Sequence, residues 1–237
     1  MRLAVISDVH ASLVPLRAVL ADAEAAGVDR IICLGDVIDM GPSPKETLTL
    51  LRSKGIACVQ GNHDTLHEEG PTPLLQAVMD WTKARLSTED LAYLSGLPRS
   101  LRVDLAGVDV LCVHGSPLCN THQFLVHTPR ETLEQWYEGI AFDVAVCGHT
   151  HVQVMRRLDE RMLVNVGSVA QPFARAYDGT PPKVMRWAEY VILSSDEGRL
   201  SVDMRRVPYD FDAFCEELRT SGFPDLGSWM KQWTWWL

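Results

Sequence analysis

The order of apolar segments predicts an α/β fold that gives way to antiparallel sheet in its later part. Two observations predict it. In the first half a short β-branched or apolar run, a turn and an amphipathic stretch recur in that order, the arrangement from which α/β layers are built. Later, from Met162 on, strand-like segments succeed one another without helical stretches between them.

The early runs are Leu3 to Ile6, Ile31 to Leu34, Ile56 to Val59, Val110 to Val113 and Val144 to Cys147, each short enough for a buried strand. A first helix is expected from about Leu13 to Ala26, stopped by Gly27. Ser43-Pro44-Lys45-Glu46 and Thr128-Pro129-Arg130-Glu131 each combine a capping hydroxyl, a proline at the first position and a glutamate three residues on, so both should open helices. Leu74 to Leu86 and Thr88 to Leu94 carry helical apolar spacing. The later strands are expected at Met162 to Val166, Trp187 to Leu193 and Leu200 to Val207, the last two joined by the turn Asp196-Glu197-Gly198. A last helix is expected from Phe211 to Thr220, ended by Gly222 and Pro224.

A chain of 237 residues with 46% apolar content can bury a substantial core, and no linker or repeat divides it, so one domain over 1–237 is expected. No stretch reaches the roughly 20 apolar residues a membrane helix needs, and Ser7 and Asp8 interrupt the first run too early for a signal peptide. The net charge of −9 opposes long nucleic acids and anionic membranes, so an anionic substrate must be held by a local positive centre. The six cysteines form no CxxC pair, and Cys33, Cys58, Cys112 and Cys147 sit in apolar runs, as expected of small buried hydrophobes in a reducing, cytoplasmic setting.

The residues just past the five runs carry the chemistry. The runs lead into Asp8-Val9-His10, Gly35-Asp36, Gly61-Asn62-His63-Asp64, His114-Gly115 and Gly148-His149-Thr150-His151, so every run ends in a metal-ligand residue type. Past the carboxyl ends of strands in an open α/β sheet, such residues converge on one crevice. Asp8 with His10, and His149 with His151, are two residues apart, which on extended backbone puts each pair on one side. A lone histidine is usually a hydrogen-bonded core or surface residue, but five of the eight fall in these turns. His67, His122 and His127 lie elsewhere and read as surface residues. Two aspartates, an asparagine and several histidines without cysteine suit borderline divalent ions. They exceed what one catalytic ion takes, and a pair of ions about 3.5 to 4 Å apart uses them better.

This motif series, in order and spacing, resembles that of the calcineurin-like metallophosphoesterases across residues 1 to about 170. The resemblance implies two mixed β-sheets packed as a sandwich and flanked by helices, a four-layer fold. It implies two divalent metal ions, manganese or iron favoured over zinc, nickel or cobalt. Asp8, His10 and His151 would bind the first, Asn62, His114 and His149 the second, and Asp36 would bridge them. It places His63 over the substrate as phosphoryl stabiliser or general acid, oriented by Asp39. An arginine usual in the phosphatase and dinucleotide-tetraphosphatase branch is Met40 here, which removes its phosphate clamp and makes the small bacterial phosphodiesterases the nearer comparison.

The function expected is hydrolysis of a small phosphate ester, most of all a phosphodiester, by a hydroxide shared between the two ions. The alternatives are a phosphomonoesterase, a phosphoprotein or dinucleotide-polyphosphate phosphatase, and a non-catalytic scaffold of the same fold like the retromer subunit of this family. Asn165-Val166-Gly167-Ser168 is expected to shape the cleft, and residues 171–183 to serve either as a loop over the substrate or as a plain surface connection. Trp229, Trp233, Trp235 and Trp236 crowd a tail of about 222–237. Tryptophans this dense are expected to pack either on the chain's own surface or in a homo-oligomer.

Overall fold

The structure, a computed structural model, describes residues 1–67, 71–180, 182–232 and 234–235, the last two and residue 232 in their backbone alone. Its strands are β1 (Arg2–Ile6), β2 (Arg30–Cys33), β3 (Ala57–Cys58), β4 (Ser100–Asp104), β5 (Asp109–Val113), β6 (Val144–Cys147), β7 (Val154–Leu158), β8 (Arg161–Asn165), β9 (Lys183–Val184), β10 (Trp187–Asp196), β11 (Arg199–Pro208) and β12 (Thr234–Trp235). The helices are α1 (Leu13–Ala25), α2 (Pro44–Ser53), α3 (Pro73–Lys83), α4 (Thr88–Ser95), α5 (Arg130–Trp136), α6 (Phe211–Thr220) and α7 (Leu226–Gln232), with a short 3-10 turn at His63–Thr65.

The strands form two mixed five-stranded sheets, in the orders β11-β10-β1-β2-β3 and β4-β5-β6-β8-β7, while β9 pairs with β12. Alternation along each strand builds the layers. Leu3 and Val5 of β1, with Ile32, Val191 and Leu193, face Val103, Val110, Cys112, Val144, Val146 and Val164 of the other sheet in one apolar layer. Ala4 and Ile6 face the opposite way, onto Leu16, Val19 and Leu20 of α1 and Leu48 and Leu51 of α2. The outer face of the second sheet packs Leu111, Val113, Ala145 and Leu163 against Leu133 and Tyr137 at α5. The order is helix, sheet, sheet, helix, the four-layer architecture expected.

The expected strands and helices are all present to within a few residues, apart from three corrections. The five runs do not share one open sheet, for β1, β2 and β3 lie in the first and β5 and β6 in the second, so the crevice forms where two sheets end together. The later strands do not make a sheet of their own. β10 pairs antiparallel with β1, and β8 runs parallel to β6. Neither expected capping hydroxyl caps. Ser43 Oγ donates to Glu217 of α6. Thr128 Oγ1 accepts from Leu125 N and donates to Gln123 O, which leaves Pro129 as the N-cap of α5. Side-chain caps form elsewhere, from Thr72 at α3 and Asp210 at α6, and as a reciprocal pair between Ser87 and Asp90 at α4.

The six cysteines are free thiols, with Cys33, Cys58, Cys112 and Cys147 buried. His67 and His127 are exposed, and His122 is half-buried, stacked on Trp136 with Nδ1 against Ser116 Oγ. Trp229 is buried beside Phe223. Trp233 and Trp236, and the side chain of Trp235, lie outside the described residues. Among the described residues, no helix is long and apolar enough to cross a membrane.

Candidate active site

The loops that leave β1, β2, β3, β5 and β6 are stitched to one another by backbone hydrogen bonds. His10 N donates to Asp36 O at 2.8 Å, Ala11 N to Val37 O at 2.9 Å, and Gly148 N to His114 O at 2.8 Å. The two sheets are joined by Val169 N to Ser7 O at 3.0 Å, and by His149 N to Asp8 Oδ2 at 3.0 Å. Asp8, His10, Asp36, His149 and His151 all adopt positive φ, between 42° and 66°, where side chains other than glycine are disfavoured. The expectation that Asp8 with His10, and His149 with His151, project from extended backbone is therefore corrected. Left-handed turns aim them, and they send His149 and His151 to different halves of the site. Gly148 must lack a side chain, because a Cβ there would overlap Ser7 Oγ and Asp8 Oδ2.

Two groups of ligand atoms result, each within 4.8 Å: Asp8, His10 and His151, and Asp36, His114 and His149. In the first, His10 Nε2 and His151 Nε2 face each other at 3.1 Å, and His151 Nε2 lies 3.3 Å from Asp8 Oδ1. In the second, His114 Nε2 lies 3.2 Å from Asp36 Oδ2 and 3.0 Å from Asn62 Oδ1, which is also 2.9 Å from His149 Nδ1. Asp36 Oδ2 is 3.8 Å from His10 Nε2, so this carboxylate stands between the groups.

Carbonyls fix how the rings point. His114 Nδ1 pairs with Leu34 O and His151 Nδ1 with Gln171 O, each at 2.8 Å, so each ring donates outward and turns the Nε2 lone pair inward. Lone pairs and carboxylates thus face one another, and Asp8 Oδ1 is buried with no hydrogen bond at all. Such crowded acceptors are satisfied by cations, so the donor set fits divalent metal ions. Two of the histidines already titrate as ligands must. Burial holds His10 down at about 3 and His149 at about 4, keeping both neutral as ligation requires. His114 differs: burial opposes a charge there as well, but Asp36 prevails and lifts it to about 9, so an ion bound at its Nε2 must displace that proton. Burial would raise Asp8 too, yet His151 and His114 draw it to about 2.

His63 stands at the mouth of this cluster. Its Nδ1 is 2.9 Å from Asp39 Oδ2, and Asp39 Oδ1 accepts from Thr82 Oγ1 of α3 at 3.2 Å. Sequence reading missed Thr82, which lies far along the chain on a helix and carries no motif. Nor does the sequence alone give Asp64 a role. Its carboxylate is buried and accepts from Asp36 N, Val37 N and Gly61 N at 2.8 to 2.9 Å and from Ile38 N at 3.4 Å, clamping the Asp36 loop to the Asn62 loop. Asn165 and Ser168 brace the site from behind. Asn165 Nδ2 donates to Gly148 O at 2.6 Å, and Ser168 Oγ to Asp8 O at 2.9 Å.

All nine candidate residues thus meet at one place. They open into a cleft of about 440 Å³ bordered by His10, Asp36, His63, His149 and His151, and also by Met40 and Leu75. Phe173, Ala176, Tyr177, Gly179 and Pro182 also border it, so the described residues of the 171–183 connection flank the cleft instead of forming a plain surface connection.

Comparison with known proteins agrees with this geometry. The chain is 29% identical, over 94% of each sequence, to an uncharacterised protein of Methanocaldococcus jannaschii. Its structure is similar to that of a metallophosphoesterase from Sphaerobacter thermophilus, with 31% identity, 98% and 97% of the two chains covered and a TM-score of 0.74. A hypothetical protein of Pyrococcus horikoshii shares the fold at a TM-score of 0.80, with 18% identity and 97% and 96% covered. The calcineurin-like phosphoesterase superfamily domain matches residues 1–185, and with the site described above this makes the chain a member of that superfamily.

Proposed function

We propose that the protein is a dinuclear-metal phosphoesterase acting on phosphodiesters. The observation that carries the reading is the pair of buried acceptor clusters on either side of Asp36, opening beneath His63 into one cleft. Asp8, His10 and His151 would hold one ion, Asn62, His114 and His149 the other, and Asp36 both. Manganese or iron is our choice of metal. When bound, such a pair neutralises phosphoryl charge and brings water toward ionisation near neutral pH.

The chain's own residues supply the rest. Asp39 takes the hydrogen bond of His63 Nδ1, so proton delivery to a departing oxygen falls to Nε2. Thr82 keeps Asp39 turned toward the ring. Among the described residues no lysine or arginine borders the cleft, so phosphoryl charge is met by the ions and histidines alone. A diester with one negative charge fits that supply better than a monoester dianion or a polyphosphate chain.

The test is hydrolysis of matched mono- and diesters by protein stripped of metal and reloaded with manganese, iron, zinc or nickel. Diester preference that depends on the ion is expected, with His63→Ala keeping its metal while turnover falls by roughly 10²- to 10⁴-fold. A preference for monoesters would overturn the diester assignment, and an emptied metal site in the variant would overturn the role of His63.

A further inference from the structure

The metal ligands account for the floor of the cleft but not for its other wall. There Met40, Leu75, Phe173, Ala176, Tyr177 and Pro182 present carbon. The polar groups beside them, Thr72, Thr150 and Gln123, are uncharged. Of the two cations next to these residues in sequence, Arg175 and Lys183, neither borders the cleft, and Arg175 pairs within its own loop with Asp178 and donates to Thr180 Oγ1 at 2.8 Å. Tyr177 borders the cleft with 55% of its surface exposed, so its ring is free to meet a bound group.

Three of these residues are firmly packed. Met40 belongs to an apolar cluster with Val78 of α3, Val184 of β9, Phe214 and Leu218 of α6, and Trp229 of α7, and Leu75 and Phe173 pack onto it. Phe173 is further fixed by its N–H to His151 O at 2.8 Å and by its ring, 4.4 Å from that of His151. One face of a metal-site histidine is therefore continuous with the apolar wall.

Resting on the phosphoesterase reading, we propose that the substrate carries an apolar, ring-sized group next to a single phosphoryl centre, seated against Met40, Leu75, Phe173 and Tyr177. A second phosphate or another anion in that place would lose its hydration to carbon and meet no lysine or arginine among the described residues that border the cleft, so polyphosphates are rejected. The phosphoryl end is common to every ester, and the wall decides among them.

The test uses non-hydrolysable phosphonates that differ only in the organic group. Isothermal titration of the manganese-loaded protein with phenylphosphonate and methylphosphonate should show the phenyl compound binding roughly ten- to a hundredfold tighter, the gain from burying one ring. Pyrophosphate should bind more weakly than phenylphosphonate. Tyr177→Ser, at an exposed position where folding is not at stake, should shrink the phenyl-to-methyl ratio by about threefold or more, and Leu75→Ser with Tyr177→Ser should bring it near unity. Equal binding of the two phosphonates, tighter binding of pyrophosphate, or an unchanged ratio in the double variant would each overturn the proposal while leaving phosphoester hydrolysis standing. Failure of both phosphonates to bind a loaded protein that still hydrolyses a diester would overturn this proposal alone, whereas a loaded protein that neither binds them nor hydrolyses any ester would remove the phosphoesterase reading, and this inference with it.

Discussion

Replacing Asp64 by alanine removes the clamp between two ligand-bearing loops without touching a ligand. Three buried N–H groups, of Asp36, Val37 and Gly61, donate to this carboxylate at 2.8 to 2.9 Å, and a fourth, of Ile38, at 3.4 Å. Leaving a buried donor unsatisfied costs about 1 to 3 kcal/mol, so at the low end the three short bonds amount to about 3 kcal/mol. For a chain of this size that corresponds to a melting temperature lower by roughly 6 to 12 °C. Asp64→Asn keeps one acceptor but opposes an NH₂ to backbone donors, so it should fall between wild type and alanine. Urea unfolding with an unchanged slope measures the loss, and metal titration should show weaker binding because Asp36 and Asn62 are no longer held in register. A variant within about 1 kcal/mol of wild type and unaltered in metal affinity would refute the clamp.

Three further outcomes are expected. Thr82→Val should lower turnover by a few-fold and displace the acid limb of the pH–rate profile with little effect on metal content, since it reaches substrate only through Asp39 and His63; an unmoved profile would make Thr82 merely structural. Burial works to raise Asp90, but hydrogen bonds from Lys45 and Ser87 prevail and hold it at about 2 against an ordinary 3.8. A depressed carboxylate stabilises the fold above its unfolded pKa, so this contribution is complete at pH 5 and is lost as the pH falls from about 4 through 2. Asp90→Asn should therefore cost about 1 to 2 kcal/mol in denaturant unfolding at pH 7, a gap that closes near pH 2 and whose persistence there would contradict the assignment. Gly148→Ala should displace Asp8 and its neighbours, and calorimetric titration should find the tighter of two metal-binding events weakened by an order of magnitude or more; two unchanged events would show that the loop absorbs the methyl group.

Much of the fold and the site was legible in the chain because both signals are local. Val110 to Val113 and Val144 to Cys147 announce strands by composition, and the polar residues after them announce the loops that meet. What was hidden depends on distance or on dihedral angles. Nothing in Trp187 to Leu193 says that it will pair with β1, whose Arg2 stands opposite Ser194, almost the length of the chain away. The spacing Asp8-x-His10 is compatible with extended or left-handed backbone, and only the bonds from His10 N to Asp36 O and from Asp8 N to Gly35 O, made by a neighbouring loop, select the second. Ser43 carries the composition of a cap, yet the tertiary partner Glu217 takes its hydroxyl. Thr82 and Asp64 act by what they touch, which residue type alone does not disclose.

The left-handed turns also set how far such a site can travel. Eight residues around it, Asp8, His10, Ala11, Asp36, Asp39, Met40, His149 and His151, hold positive φ. At about 1 kcal/mol apiece that burden is comparable to the whole net stability of an ordinary domain. Two sheets with three apolar layers can carry it, whereas a miniature scaffold given the same motifs would unfold before it bound an ion. Transplanting this chemistry therefore means moving the sandwich along with the loops.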